Sequence, residues 1–350
     1  MSSSSESYYI QVLTNISIYL HQYVATILFV IGNIGNLLSI LIFFKKSWRK
    51  NVCVFYFIIC LFNNTVFLNG TLLGSIFALG FNINVQNSSV ILCKLFYYIA
   101  YLSSTYLPCV LIFASIDRLL ISSQNVDTRL YSSKRLGYFF VSTSLFILSI
   151  FSLHILIKVN IQQFTSSVFI CYYDVSKLYL NFFIYSTLII SVVIPLALIF
   201  LSIIAFKNVR HIRTIPRQQR KQIRSMNKKD FQLLCCLYAH NIVYIVCSIL
   251  LVVDLVYGTA IRYDIQKSFD RTVDNFLNNF GSFLHYIPYC TSFFIFVCLS
   301  KAFRQELKQY IYKICVKNLT TIQEKEGEEF QPARDNPEFN VAVSTIVLVS

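Results

Sequence analysis

The sequence predicts an all-α fold, a seven-transmembrane helix bundle with a short amphipathic eighth helix at the inner membrane face. Three observations carry that prediction. Hydrophobic residues make up 56% of the 350 and charged ones only 13%, with a mean hydropathy of +0.60. An ordinary soluble domain carries about twice that charge. Uncharged stretches long enough to cross a bilayer recur along the whole chain, and lysine and arginine gather on alternate sides of them.

Crossing the hydrocarbon core as a helix takes roughly 20 apolar residues. Residues 1–19 form a polar lead expected outside, where Asn15-Ile-Ser17 is a glycosylation acceptor. The first span has the apolar heart YVATILFVIGNIGNLLSILIFF, inside a charge-free run from Glu6 to Lys45. Lys50 to Lys94 encloses 43 uncharged residues, too many for one helix, and the polar NINVQNSS marks where the second span ends. The next five runs lie between Lys94 and Asp117, Arg135 and Lys158, Lys177 and Lys207, Asp230 and Asp254, and Asp274 and Lys301. Their interiors hold 22, 22, 29, 23 and 26 residues. The bundle therefore occupies residues 20–300, each backbone satisfied within its own helix as lipid requires. In KAFRQELKQYIYKIC, residues Phe303, Leu307, Tyr310 and Ile314 share one side. Residues 301–316 are thus expected to lie along the membrane surface, with Cys315 a candidate for lipidation. The polar, acidic residues 317–350 are expected to be disordered.

Charge sets the expected orientation. With the N-terminus outside, the inner side receives four Lys and Arg in the first loop, three in the second, nine in the third and five in the proximal tail, against six outside. The net charge of +14 then reads as an orientation signal and a contact for anionic membrane lipids. It does not read as a nucleic-acid surface, because the basic residues are spread over membrane-adjacent loops. MSSSSESYY lacks a basic start, so no cleavable signal peptide is expected. Most of the eleven cysteines fall within spans. Cys93 and Cys171 fall at the predicted outer face, where an oxidising exterior permits a bridge.

The third span ends on an adjacent acid and base, Asp117-Arg118, and Cys93 lies 25 residues before the arginine. In this spacing the chain resembles the rhodopsin-like G-protein-coupled receptors over residues 20 to 315. IDRLL matches the acid and base of their Asp/Glu-Arg-Tyr motif, with Leu119 in place of the tyrosine. Cys171 falls where the family's partner cysteine lies. GNIGNLLSI resembles the helix-one Gly-Asn and places its asparagine at Asn36. NNTVFL offers Asn63 or Asn64 where the family usually has a sodium-coordinating aspartate, loop spacing favouring Asn64; Asn36 and Asn64 are expected in an intramembrane polar network. Pro195 matches the helix-five proline, and KAFRQEL the start of the eighth helix. The resemblance implies a G-protein-activating role for Asp117 and Arg118. The family's neighbouring acid holds the arginine at rest, and outward movement of helix six frees it to meet the G protein. The basic third inner loop resembles the coupling surface.

The departures are informative. The helix-seven Asn-Pro-x-x-Tyr motif falls on Ser292-Phe293-Phe294-Ile295-Phe296, with all three signature residues replaced; Pro288 offers a nearby kink. Helix six has no Cys-Trp-x-Pro, and the chain's single tryptophan is Trp48. The amine-receptor aspartate falls on Ala100, which speaks against a biogenic amine. Residues 275–300 hold no lysine for retinal, which speaks against an opsin. Tyr97, Tyr98, Tyr101, Tyr286 and Tyr289, phenols able to donate while their rings pack, are candidate pocket residues, and so is His285. Asp254, Asp264, Asp270 and Asp274 make the third outer region acidic, which suits a peptide with a basic group. The expected protein is a non-enzymatic cell-surface receptor at the plasma membrane, needing no cofactor or metal. Its expected partners are an extracellular ligand, a heterotrimeric G protein and membrane lipids. The alternative is a seven-helix transporter or channel. Such proteins use ionisable residues or broken repeats inside the membrane, and here the span interiors offer only His154, His240 and His285. An intramembrane enzyme would need paired carboxylates that the spans lack.

Overall fold

A computed structural model describes residues 3–121, 132–165, 168–174, 176–214, 228–261 and 268–313. The expectations placed on Asp264, Ile314, Cys315, the middle of the third inner loop and the tail lie outside them, as do the side chains of Asp254 and Asp270.

Seven helices are long and apolar enough to cross a membrane: α1 (Glu6–Phe43), α2 (Val52–Gly80), α3 (Val90–Ile121), α4 (Lys134–Lys158), α5 (Lys177–Ala205), α6 (Lys228–Val253) and α7 (Thr272–Leu299). The first helix begins at Ser3, α5 runs on to Thr214 and α6 to Ile261, while the α7 helix starts at Ser268. Local chemistry sets several starts. The Asn51 side chain accepts the Cys53 N–H at 2.9 Å, capping α2, and Ser133 caps α4 through the Leu136 N–H. At its far end α7 is closed by Arg304, whose Nη1 donates to the Val297 and Cys298 carbonyls, each at 2.8 Å.

Helix α3 is the hub, packing on α2, α4, α5 and α6, and α7 packs on both α1 and α6 so that the bundle closes. Small residues permit the tightest approaches. A Cβ on Gly35 of α1 would stand 2.7 Å from Phe293 Cβ of α7. Wide π turns occur at Leu20–Ala25, Leu68–Leu72 and Ile76–Gly80, and the first and third of these pack on each other. Gly80 there faces the Gln22 backbone, which a Cβ would approach to 3.0 Å.

The all-α expectation needs one addition. Residues Val159–Thr165 and Val168–Tyr173 pair as an antiparallel hairpin, β1–β2, in the loop between α4 and α5. The Cys93–Cys171 disulfide ties β2 to the start of α3, with a Cα separation of 5.6 Å. It closes a loop of sequence separation 78, which in a chain-entropy account contributes about 4.5 kcal/mol. At the opposite end, beyond Ser300, the backbone is helical again over residues 301–313. Contacts divide the chain after Arg304. In the bundle unit, Phe303 is wholly buried, its ring 5.5 Å from both Phe43 and Phe296.

Candidate functional site

At the end of the bundle away from the hairpin, the last turns of α3 bury an ion pair. Adjacent residues on a helix point apart, yet Arg118 folds back so that Nη2 and Nε meet Asp117 Oδ2 at 2.6 and 3.0 Å. Ser132, just before α4, donates to Asp117 Oδ1 at 2.5 Å. The arginine side chain is 1% exposed. Its Nη1 has no hydrogen-bond partner and stands 3.9 Å from Asp230 Oδ1 in the first turn of α6. Asp230 in turn accepts a short hydrogen bond from Asn51 Nδ2, the cap of α2. One guanidinium thus holds a tight partner on its own helix and a loose one on α6, while the α6 acid is also tied to α2. Charge separated this far from water is costly unless paired, so a shift of α6 must hand Nη1 to some other acceptor.

Sequence reasoning found the Asp117–Arg118 pair but gave Asp230 no role beyond bounding a span. Its signal is faint: one acid in the basic run NKKDF, at a helix start where carboxylates are common.

The middle of the bundle is a polar seam. Asn36 Nδ2 donates to the Tyr289 carbonyl at 3.2 Å, linking α1 to α7, and Asn64 Nδ2 to Ser292 Oγ at 3.0 Å, linking α2 to α7. Asn63 turns instead to α3, donating to the Ser103 carbonyl at 3.1 Å. Asn241 of α6 reaches Ser115 of α3 and Ser202 of α5, each at 3.2 Å. The sodium ion of the family resembled finds no fit here. Asn36, Asn64 and Asn241 present unpartnered buried amide oxygens, but a neutral amide where the carboxylate would stand leaves an ion's charge unbalanced.

The hairpin end encloses a cavity of about 240 Å³. Four of the expected pocket residues line it: Tyr97, Tyr101, His285 and Tyr286, along with Ala100, Phe67, Thr71 and Tyr173 of β2. Tyr289 sits deeper, wholly buried and stacked on Phe67 at 3.9 Å, with its hydroxyl 3.4 Å from His285 Nε2. Tyr98 faces α4, its hydroxyl 3.4 Å from the Ser149 carbonyl. The hairpin is held over this space by the disulfide, by the Tyr97 hydroxyl on the Cys171 carbonyl at 3.3 Å, and by Asn87 Oδ1, which accepts the Cys171 N–H at 2.9 Å. Thr71 was not anticipated, because it is presented from the π turn at Leu68–Leu72.

The remaining sequence candidates are dispersed. Asn15 is exposed on the first helix. Pro195 and Pro288 lie inside the helices of α5 and α7, and a third proline that sequence reasoning passed over, Pro108, lies inside α3. Compared with protein-family models and with curated protein sequences, the chain matches none.

Proposed function

We propose that the chain is a plasma-membrane receptor of the rhodopsin-like kind, with its N-terminus and hairpin outside, that senses an extracellular ligand and activates a heterotrimeric G protein at the Arg118 end. One observation carries the reading. The buried guanidinium that ends α3 is shared between Asp117 and an acid of α6, and the same helix is stapled at its other end by Cys93. That arrangement makes α3 a fixed strut between two faces and leaves α6 the movable neighbour. A ligand in the hairpin-end cavity touches α3 at Tyr101, α6 at Leu251 and α7 at His285 together. It therefore biases the α6 packing that decides whether Arg118 Nη1 faces Asp230 or a partner protein. Ligand and partner then act on one two-state element, as coupling between distant faces requires.

The residues beyond Ser300 fit the same reading as an eighth helix on the inner membrane surface, with Cys315 as a lipid anchor. The basic third inner loop serves as the coupling surface and meets anionic lipid headgroups. A peptide fits the acidic outer region of the sequence.

The test uses nucleotide exchange on purified G protein with membranes carrying the chain. Arg118→Ala abolishes ligand-driven exchange while surface expression persists. Asp230→Asn, which keeps the size of the side chain and removes its charge, raises exchange in the absence of ligand severalfold. Retention of full exchange by Arg118→Ala would sink the proposal.

A further inference from the structure

The hairpin-end cavity is defined by what it leaves unsatisfied. Among the described residues that line it there is no aspartate, glutamate, lysine or arginine. Three of its polar atoms are buried without a hydrogen-bond partner: Thr71 Oγ1, the Tyr101 hydroxyl and His285 Nδ1. Several buried hydroxyls elsewhere in the spans bond back to their own helix, as Ser39 does to Gly35, Thr105 to Tyr101 and Ser115 to Leu111; Thr71 does not. The hydroxyls nearest Tyr101 are those of Ser186 and Thr187, which donate to the Phe183 carbonyl and keep oxygen lone pairs toward the phenol, so Thr71 and His285 hold the more isolated of the three atoms. Tyr286, in contrast, is satisfied by Ser75 at 2.7 Å.

The histidine supplies the direction. Tyr289 is wholly buried and its hydroxyl meets His285 Nε2. With the phenol assigned as the donor to Nε2, the imidazole hydrogen lies on Nδ1, which has no partner of its own. A phenol, a threonine hydroxyl and an imidazole N–H therefore belong to residues that line one aromatic cavity.

We infer that the cavity takes an uncharged aromatic group carrying hydrogen-bond acceptors, such as a carboxamide, and excludes ammonium and carboxylate groups. A buried unpaired donor is costly, and an acceptor brought in by the ligand relieves that cost. An ammonium meets no carboxylate, only hydroxyl oxygens and ring faces, and a carboxylate meets no cation, so each loses its hydration without a full counter-charge. The inference rests on the cavity being the ligand's entry, as proposed above, and it refines the ligand: if it is a peptide, its inserted end is neutral, an aromatic residue with a terminal amide, and any basic group stays outside.

The test needs no signalling. A thiol is placed on the lining by Ala100→Cys in the full-length chain in lipid nanodiscs. Its modification rate is followed by peptide-resolved mass spectrometry with two methanethiosulfonates of one shape, the 3,3-dimethylbutyl reagent and its trimethylammonioethyl isostere, and with the sulfonatoethyl anion. Gln162→Cys on the hairpin normalises reagent reactivity. The neutral reagent is expected to outpace both charged ones at least tenfold more at position 100 than at position 162. Equal ratios at the two positions, or faster modification by either ion, would overturn the inference. Protection distinguishes the sources: indole-3-acetamide slowing the reaction marks a free small amide, and acetyl-Gly-Trp-amide alone slowing it marks a peptide end. Tryptamine or indole-3-acetate protecting as well as the acetamide counts against the proposal. His285→Phe keeps the ring and removes the donor, and is expected to cut amide protection at least fivefold; unchanged protection in it and in Thr71→Val would also overturn the inference. If nucleotide exchange fails to follow Arg118 and Asp230 while this selectivity holds, the receptor reading falls and the cavity chemistry stands.

Discussion

Asparagine and aspartate differ by one atom, yet in the seam between α2 and α7 the difference decides whether a cation is welcome. Asn64 is 1% exposed and spends its amide hydrogen on Ser292. Replacing it with aspartate removes that donor and buries a carboxylate where no cationic partner is seen among the described residues. The wild-type chain is expected to unfold at the same temperature in sodium, potassium and choline chloride. Asn64→Asp is expected to be less stable in choline and to recover with sodium. The gain at tenfold saturation is about 1.4 kcal/mol, read from a sodium titration of the melting midpoint. A sodium-dependent midpoint in the wild type would contradict the assignment of the seam as neutral. Asn36 and Asn64 are marked by the resemblance to the rhodopsin-like receptors, through GNIGNLLSI and NNTVFL. It does not mark their partners, because Ser292 and the Tyr289 carbonyl lie on a helix that only folding brings near.

Elements differ in how far they can be read from the chain alone. The seven helices were legible because a charge inside the bilayer is expensive, so the charged residues punctuate the spans. The hairpin was not, although VNIQQFT and VFICYY carry β-branched and aromatic residues. They adjoin a long apolar helix and lack the Asn-Gly turn that announces a hairpin. The π turns were equally silent, since no residue pattern announces them; two of the three pack where α1 meets α2. Two predictions belong to this scale. Gly35→Ala drives a Cβ against the Phe293 Cβ, an atom fixed by its backbone, and should destabilise the bundle by about 1–3 kcal/mol. Gly137→Ala meets the mobile end of Tyr56 at 3.3 Å and should cost less than Gly35→Ala in the same thermal unfolding assay. The hairpin's base is closed by Lys158 Nζ on Asp174 Oδ2 at 3.0 Å. The Ser176 backbone N–H, then Lys158, hold the Asp174 carboxyl below its ordinary range. A depressed folded pKa favours the closed form above the unfolded value of about 3.9, and that contribution vanishes as pH falls through the folded pKa. Exchange of the Ser176 amide, corrected for its intrinsic rate, should therefore accelerate below about pH 4, and Asp174→Asn should remove the acceleration.

For the whole molecule the governing question is which end faces which compartment. The bundle is polar in construction. One end carries a disulfide-bonded hairpin over an aromatic, uncharged cavity, and the other carries Arg118, Asp230, Asn51 and a basic surround in which Lys229 stands 5.4 Å over the Trp48 ring. A disulfide forms in an oxidising compartment, and lysine and arginine are retained on the inner side during insertion, so the two signals agree on one orientation. They are physically independent: the first depends on redox chemistry and the second on charge translocation. Intact cells expressing Gln162→Cys or Lys301→Cys are therefore expected to divide cleanly under a membrane-impermeant maleimide. The hairpin thiol labels from outside, whereas the position after α7 labels only after permeabilisation. Labelling of Lys301→Cys in sealed cells would place the Arg118 end outside, where no G protein could reach it. Equal labelling of both positions in sealed cells would mean dual insertion, with the lysine and arginine bias too weak to choose. Either result removes the receptor reading and leaves the fold intact.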